Sequence, residues 1–111
     1  MTKYFIMFLK LIMAHALADF SLQTAAMGTF KNRYYHFTED MKHVPTWQYW
    51  MTAHALINVL LVWVVTGVCW LGLVETILHW LIDYIKCENL ISAHKDQLLH
   101  LFTKIGYLFF I

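Results

Sequence analysis

The chain has 111 residues, which suits one domain, and 60% of them are hydrophobic. A soluble domain of this size leaves much of its surface in water, so such a composition predicts a protein surrounded by lipid. The formal net charge of +1 excludes the broad basic surface that nucleic-acid binding requires.

Four apolar stretches predict an all-α fold, an integral membrane bundle of about four helices. The expected helices cover residues 4–20, 47–66, 73–86 and 95–111, and residues 21–46 form a polar loop. The first stretch is near the minimum length for a spanning helix, whereas residues 47–66 have the length and the aromatic belt typical of one. The fourth is short and requires a locally thinned bilayer.

The segments between these helices carry weaker signals. The loop predicts a short interfacial helix over residues 30–37, and the glycines that bound residues 67–72 predict a tight turn. Cys69 and Cys87 form no paired motif and are interpreted as packing residues in a reduced setting. Lys3 and the apolar stretch after it also resemble a secretory signal, but its cleavage would remove His15.

The distribution of basic residues predicts the orientation of the chain. Both long loops are rich in lysine and arginine, whereas the opposite ends carry only Lys3. By the positive-inside rule, these loops face the cytoplasm. The sequence therefore predicts a multi-pass protein of a bacterial inner membrane, with both termini on the outer side.

Three of the predicted helices carry a histidine and an aspartate four residues apart, which places both on one helical face. The pairs are His15 and Asp19, His79 and Asp83, and Asp96 and His100. The order is reversed in the last helix, which runs the opposite way, so all three aspartates fall in one layer nearer the cytoplasm. The histidines lie about 6 Å deeper, and His54 of the second helix reaches the same depth.

Four imidazoles beside three carboxylates match the ligand preferences of zinc most closely, with iron or manganese as alternatives. They suffice for one divalent ion or two. The predicted metal ligands are His15, Asp19, His54, His79, Asp83, Asp96 and His100. A hydrogen-bond network without metal is the alternative interpretation of the same residues.

Further polar residues have predicted roles around this site. Glu75, one turn deeper than His79, is expected to orient a ligand or move a proton, and Glu75 and Asp83 are the predicted catalytic carboxylates. Asn58 and Gln23 are expected to support the ligands or the helix packing. The remaining histidines lie in loops and are interpreted as ordinary solvated residues; they are His36, His43 and His94.

The same motifs carry a family resemblance. The segments are His15-Ala-Leu-Ala-Asp19-Phe20-Ser-Leu-Gln23-Thr, His79-Trp-Leu-Ile-Asp83-Tyr84-Ile-Lys86 and Asp96-Gln97-Leu-Leu-His100. They resemble a family of small bacterial and phage membrane proteins known as domain of unknown function 3307. The resemblance implies a membrane location and importance of the motif residues, but no activity. There is a looser similarity to membrane-bound metal-dependent hydrolases, which also place histidine and aspartate on short helices.

Three functions are compatible with this pattern. The leading hypothesis is a membrane-embedded metal-dependent hydrolase acting on a lipid or lipid-linked phosphate. The second is a non-enzymatic membrane module, held together by metal and phage-encoded, that binds a host membrane protein. The third is an ion or proton conduit. The pattern does not predict the oligomeric state.

Overall fold

The computed structural model describes residues 2–111 and is helical, with no strand in that range. Its five α-helices are α1 (Thr2–Ala16), α2 (Ala25–Phe30), α3 (Trp47–Thr66), α4 (Cys69–Cys87) and α5 (Ala93–Tyr107). A π-helical turn, Leu17–Ser21, extends α1, and a 3-10 turn, Leu108–Phe110, extends α5. A second 3-10 turn, Glu39–Met41, lies in the long loop. The predicted all-α class is confirmed.

The junction between α3 and α4 is shorter than predicted. Gly67 ends α3 with a φ of 72°, and its amide donates to the carbonyl of Trp63 at 2.8 Å. Helix α4 then begins at Cys69, so the expected turn over residues 67–72 is wrong. Gly72 lies inside α4, where a Cβ would be 3.2 Å from the carbonyl oxygen of Val59 on α3. Its missing side chain allows the two helices to approach closely.

The long loop also differs from the prediction. The expected interfacial helix over residues 30–37 is wrong, because the loop's helix is α2, which ends at Phe30. Thr24 determines the earlier start, since its Oγ1 accepts a hydrogen bond from the Met27 amide at 3.1 Å. The aromatic residues that suggested the later helix instead form a cluster. Its ring pairs are Phe30 with Tyr35, Phe37 and Trp50.

The distribution of polar and apolar residues is the reverse of that in a soluble protein. The buried polar residues are His15, Asp19, Lys31, His54, Asn58, Glu75, His79, Asp83, Asp96, His100 and Lys104. Large apolar residues such as Ile77, Phe102 and Phe109 are exposed on the outer helix faces. Such a surface is stable against hydrocarbon and unstable against water.

Two helical stretches within residues 2–111 are long and apolar enough to cross a membrane, Thr2–Ser21 and Trp47–Thr66. Only 28% of the apolar window in each is buried inside the protein, so most of it faces outward. Helix α4 carries three charged residues along its length and α5 has only 15 residues, and neither is among the candidate spans. The structure thus supports membrane association with two candidate spans, fewer than the four predicted.

The two cysteines lie at opposite ends of α4. Cys69 is exposed at the start of α4, and Cys87 is half-buried at its end. The packing role predicted for both therefore fits Cys87 but not Cys69.

Candidate metal centre

Helices α4 and α5 present matching polar stripes to each other. Going along α4 the stripe is Glu75, His79 and Asp83; along α5 it is Asp96, His100 and Lys104. Because the helices are antiparallel, the stripes meet layer by layer: Lys104 Nζ lies 2.8 Å from Glu75 Oε1, and the His79 and His100 rings stack at 4.3 Å. The polar centre is built on this pair of helices.

Helix α1 adds Asp19 through the wide turn that follows His15. The Leu22 amide donates to the Leu17 carbonyl at 2.8 Å, a bond across five residues that defines the π-helical turn. Asp19 projects from this turn, with Oδ1 at 3.2 Å from His54 Nε2 and 3.5 Å from His79 Nε2. Turns of this kind are frequent at functional sites.

Asp83 lies at the middle of the centre. Its Oδ2 is 3.2 Å from His54 Nε2 and 3.7 Å from His79 Nε2, and its Oδ1 is 3.3 Å from His100 Nε2. The two outer residues are also in place: His15 Nε2 is 3.4 Å from Asp19 Oδ2, and Asp96 Oδ1 is 3.5 Å from His100 Nε2. The structure brings all seven predicted ligands together, and all are buried.

The distances between these atoms suit coordination of a common ion. Four ligand atoms placed tetrahedrally about 2.0–2.2 Å from zinc lie roughly 3.3–3.6 Å from one another. Hydrogen bonds among residues 2–111 leave several of the facing atoms without partners: Asp19 Oδ1, both ring nitrogens of His54, and Asp96 Oδ1. His54 Nε2 and His79 Nε2 each face more than one carboxylate oxygen across a common volume, so these groups could bind metal.

Neighbouring side chains orient the candidate ligands. His79 Nδ1 is 3.1 Å from Glu75 Oε1, and donation to this carboxylate leaves the Nε2 lone pair directed toward the centre. Asn58 Nδ2 lies 3.2 Å from that Nε2. Gln97 Nε2 donates to Asp19 Oδ2 at 3.1 Å, and its Oε1 is 3.0 Å from His15 Nε2. Glu75 therefore contacts the centre through His79.

Two buried lysines were not predicted from the sequence. Lys31, which follows α2 in the long loop, is only 4% exposed and donates to Asp83 Oδ2 at 2.9 Å and to Gln23 Oε1 at 2.7 Å. Lys104 pairs with Glu75, which also accepts a hydrogen bond from the Tyr107 hydroxyl. The stripe that continues four residues beyond His100 could have revealed Lys104, but no sequence signal distinguished Lys31.

An ion pair connects the loop next to Lys31 with Glu88 at the end of α4. Arg33 donates to both carboxylate oxygens of Glu88, and the Tyr34 hydroxyl donates to Oε2 at 2.6 Å. The hydrogen bonds from Arg33, followed by that from Tyr34, lower the pKa of Glu88 to about 2. Three further histidines lie outside the centre and are exposed; they are His36, His43 and His94. The prediction that His94 lies in a loop is wrong, because Ser92 caps α5 and the helix begins at Ala93.

The permanently charged buried groups are more negative than positive. Four buried carboxylates face two buried ammonium groups: Asp19, Glu75, Asp83 and Asp96 against Lys31 and Lys104. If the imidazoles are counted as neutral, the net charge is −2. Isolated charge is costly in a low-dielectric interior, so protonated imidazoles or an added cation would stabilise the centre.

The sequence model of a family described as "Protein of unknown function (DUF3307)" matches residues 7–111. The chain belongs to this family. No curated protein and no solved structure matches it. The matched region of this DUF3307 protein includes all seven candidate ligands, and the family resemblance expected from the motifs is confirmed.

We predict that the Glu75–Lys104 pair of this DUF3307 protein is strongly coupled. Lys104→Met leaves a buried carboxylate without its counter-charge and should lower the free energy of unfolding in detergent by about 3–5 kcal/mol. The double variant Glu75→Gln/Lys104→Met removes both charges while keeping an acceptor for His79, and should recover much of this loss. Unfolding curves of both variants and the wild type measure the effect. A double variant no more stable than Lys104→Met would contradict the coupling.

Proposed function

We propose that this DUF3307 protein is a multi-pass membrane metalloenzyme that hydrolyses a phosphate ester of a lipid or lipid-linked substrate. The observation that carries this proposal is the convergence of His15, Asp19, His54, His79, Asp83, Asp96 and His100, whose nearest ligand atoms are 3.2–3.7 Å apart. These residues come from four segments of the chain, and such a set holds zinc, manganese or iron.

The reversed polarity of the bundle supports embedding α4 and α5 in the bilayer beside the two candidate spans. Four of their charged residues, Glu75, Asp83, Asp96 and Lys104, are buried, whereas Lys86 and Lys95 lie at the helix ends. Leu73, Ile77, Leu81 and Phe102 face outward. Intramembrane charges of this kind pair with one another in the bundle interior. In the proposed orientation the basic loops face the cytoplasm, and the centre lies near that side.

The chemistry of the site suits hydrolysis. The imidazoles and aspartates of the centre would hold a divalent ion, which would supply a nucleophile by lowering the pKa of water toward 7. The water oxygen adds to phosphorus, the ester P–O bond breaks, and the departing alcohol takes up the proton that the water loses. One of the aspartates that face the centre is the proposed carrier of that proton, and Glu75 holds His79 in position.

Lys31 supports a phosphate-bearing substrate. Its ammonium group is buried at Asp83, on the side of the centre covered by α2 and the following loop. A lysine at such a position offers a point charge to a phosphate oxygen. The adjacent Arg33–Glu88 pair keeps this part of the loop against the end of α4.

A groove between α1 and α5 supports a lipid as the substrate. It has a volume of about 270 Å³ and is lined by Ile12, Phe20, Leu98 and Leu101, together with His15 and Gln97 of the centre. The apolar lining suits a hydrocarbon chain, and its polar end adjoins the candidate ligands. A lipid could thus reach the centre laterally from the bilayer.

The first test combines metal analysis with an assay of purified protein. We expect stoichiometric zinc, manganese or iron and metal-dependent release of phosphate from a lipid phosphate ester. His79→Ala removes a ligand nitrogen and should lower both metal content and turnover at least tenfold. His43→Ala, which alters an exposed loop histidine, should change neither. Protein that folds and remains metal-free after metal is supplied would contradict the proposal.

The second test concerns the groove. Leu98→Trp places a larger ring in the groove and should raise KM for a long-chain lipid phosphate several-fold, with unchanged metal content. A water-soluble phosphate ester should be hydrolysed as by the wild type. The matched control is Leu60→Trp, on an exposed apolar position of α3. Equal effects of the two substitutions on the lipid substrate would contradict lateral access.

A non-enzymatic, metal-stabilised membrane module is the second candidate, with a membrane protein as its partner. It is favoured by the contribution of α1, α3, α4 and α5 to one centre, because a bound ion would clasp all four helices together. In that case chelation should unfold the protein, and no lipid phosphate should be hydrolysed.

A conduit has less support, because an apolar layer lies beyond the polar groups. The buried chain of polar contacts runs from the aspartates through His79 and Glu75 to Tyr107. Tyr107 then packs in a cluster with Leu11, Val62 and Leu71. No ion path crosses that layer within the described residues.

A further inference from the structure

We propose that the centre holds two divalent ions side by side, with Asp83 bridging them. This inference rests on the metal-binding part of the proposed function and adds the number of ions and the ligands of each. It follows from the direction in which the two oxygens of Asp83 face and from the grouping of the other ligand atoms around them.

The first position lies among four ligand atoms. His54 Nε2 is 3.2 Å from both Asp19 Oδ1 and Asp83 Oδ2, and His79 Nε2 is 3.5 and 3.7 Å from the same two oxygens. These four separations are close to the roughly 3.3–3.6 Å edges of a tetrahedral site. Ligand atoms of His54, His79 and Asp83 all lie within 4.8 Å of one another, and Asp19 adds a second oxygen beside both histidines.

The second position lies on the other side of Asp83. His100 Nε2 is 3.3 Å from Asp83 Oδ1 and 3.5 Å from Asp96 Oδ1, and ligand atoms of these three residues all lie within 4.8 Å of one another. The His15 ring is 4.9 Å from the His100 ring and can approach the remaining side. Three ligands leave room for water or substrate.

The geometry of Asp83 separates the two positions. Its Oδ2 faces His54 and His79, whereas its Oδ1 faces His100, so a single ion would leave one oxygen and its imidazole neighbour unused. A carboxylate shared in this way suits two ions about 3.5–4 Å apart. Asp19 has a similar arrangement, with Oδ1 toward His54 and Oδ2 toward His15.

Each position contains a buried ligand atom that no hydrogen bond satisfies within residues 2–111. In the first, His54 is fully buried; its Nδ1 makes no hydrogen bond, and its Nε2 faces Asp19 Oδ1 and Asp83 Oδ2 at 3.2 Å without a well-aligned hydrogen bond. In the second, Asp96 is fully buried and its Oδ1 makes no hydrogen bond, with His100 Nε2 3.5 Å away. Unsatisfied polar atoms are costly in hydrocarbon, and an ion at each position would satisfy His54 Nε2 and Asp96 Oδ1.

The charge of the centre is consistent with two ions and a phosphate. Two divalent cations convert the buried charge of −2 into +2. A phosphate monoester carries a charge of about −1.5 to −2 near neutral pH, so it would bring the loaded centre close to neutrality. The charge of a centre with two ions therefore suits a phosphate ester, the substrate class proposed above.

The test is titration of the metal-stripped full-length protein in detergent with Mn²⁺, followed by electron paramagnetic resonance. We expect two Mn²⁺ per chain, with a spectrum broadened by coupling between neighbouring ions. His54→Ala and Asp96→Asn should each bind one Mn²⁺ and give the spectrum of an isolated ion. His36→Ala is the control and should bind two.

Saturation of the wild type at one Mn²⁺ per chain, with an uncoupled spectrum, would overturn the second position while leaving the metal centre intact. Complete loss of Mn²⁺ in both His54→Ala and Asp96→Asn, with both variants folded, would also overturn it. Binding of neither Mn²⁺ nor Zn²⁺ by the wild type would contradict the proposed function itself. If a variant fails to fold, the stoichiometry and coupling of the wild type decide.

Discussion

The whole arrangement depends on burying negative charge in an apolar environment. Asp19, Asp83 and Asp96 meet inside a bundle whose outer surface is hydrophobic. Lys31 donates to Asp83, and the half-buried Lys86 lies 4.0 Å from Asp96 Oδ2. Repulsion between carboxylates increases as the dielectric constant falls. The fold is therefore most stable when cationic groups or metal ions occupy the same space, and the helices must hold the carboxylates where a cation can bind.

Several local features serve this arrangement. The stripes of α4 and α5 repeat every four residues, so an antiparallel pairing places Glu75 beside Lys104, His79 beside His100 and Asp83 near Asp96. The π-helical turn after His15 carries Asp19 toward His54 and His79. Gly72 allows α3 to approach α4 closely, which brings His54 within reach of Asp83. The deeper Glu75–Lys104 pair balances its own charge and leaves His79 correctly oriented.

Much of the candidate site could be predicted from sequence because helical periodicity determines which residues share a face. The reversed order of Asp96 and His100 showed that their helix runs opposite to that of His79 and Asp83. Periodicity gives no information about loops, so Lys31 and the bounds of α2 were missed. The turn at Gly67 was predicted too long because a glycine that permits close packing, Gly72, has the same sequence signature as one that ends a turn. The charged residues of the α4 stripe also make that helix less apolar than a typical membrane span, so α4 is not among the candidate spans.

The most direct test of the central claim is anomalous diffraction from crystals of the zinc-loaded protein, measured on both sides of the zinc absorption edge. The account predicts anomalous density between His54, His79 and Asp83, with ligand distances of about 2.0–2.2 Å. Crystals with ordered side chains at these residues and no anomalous density among them, after zinc is supplied in excess, would contradict it.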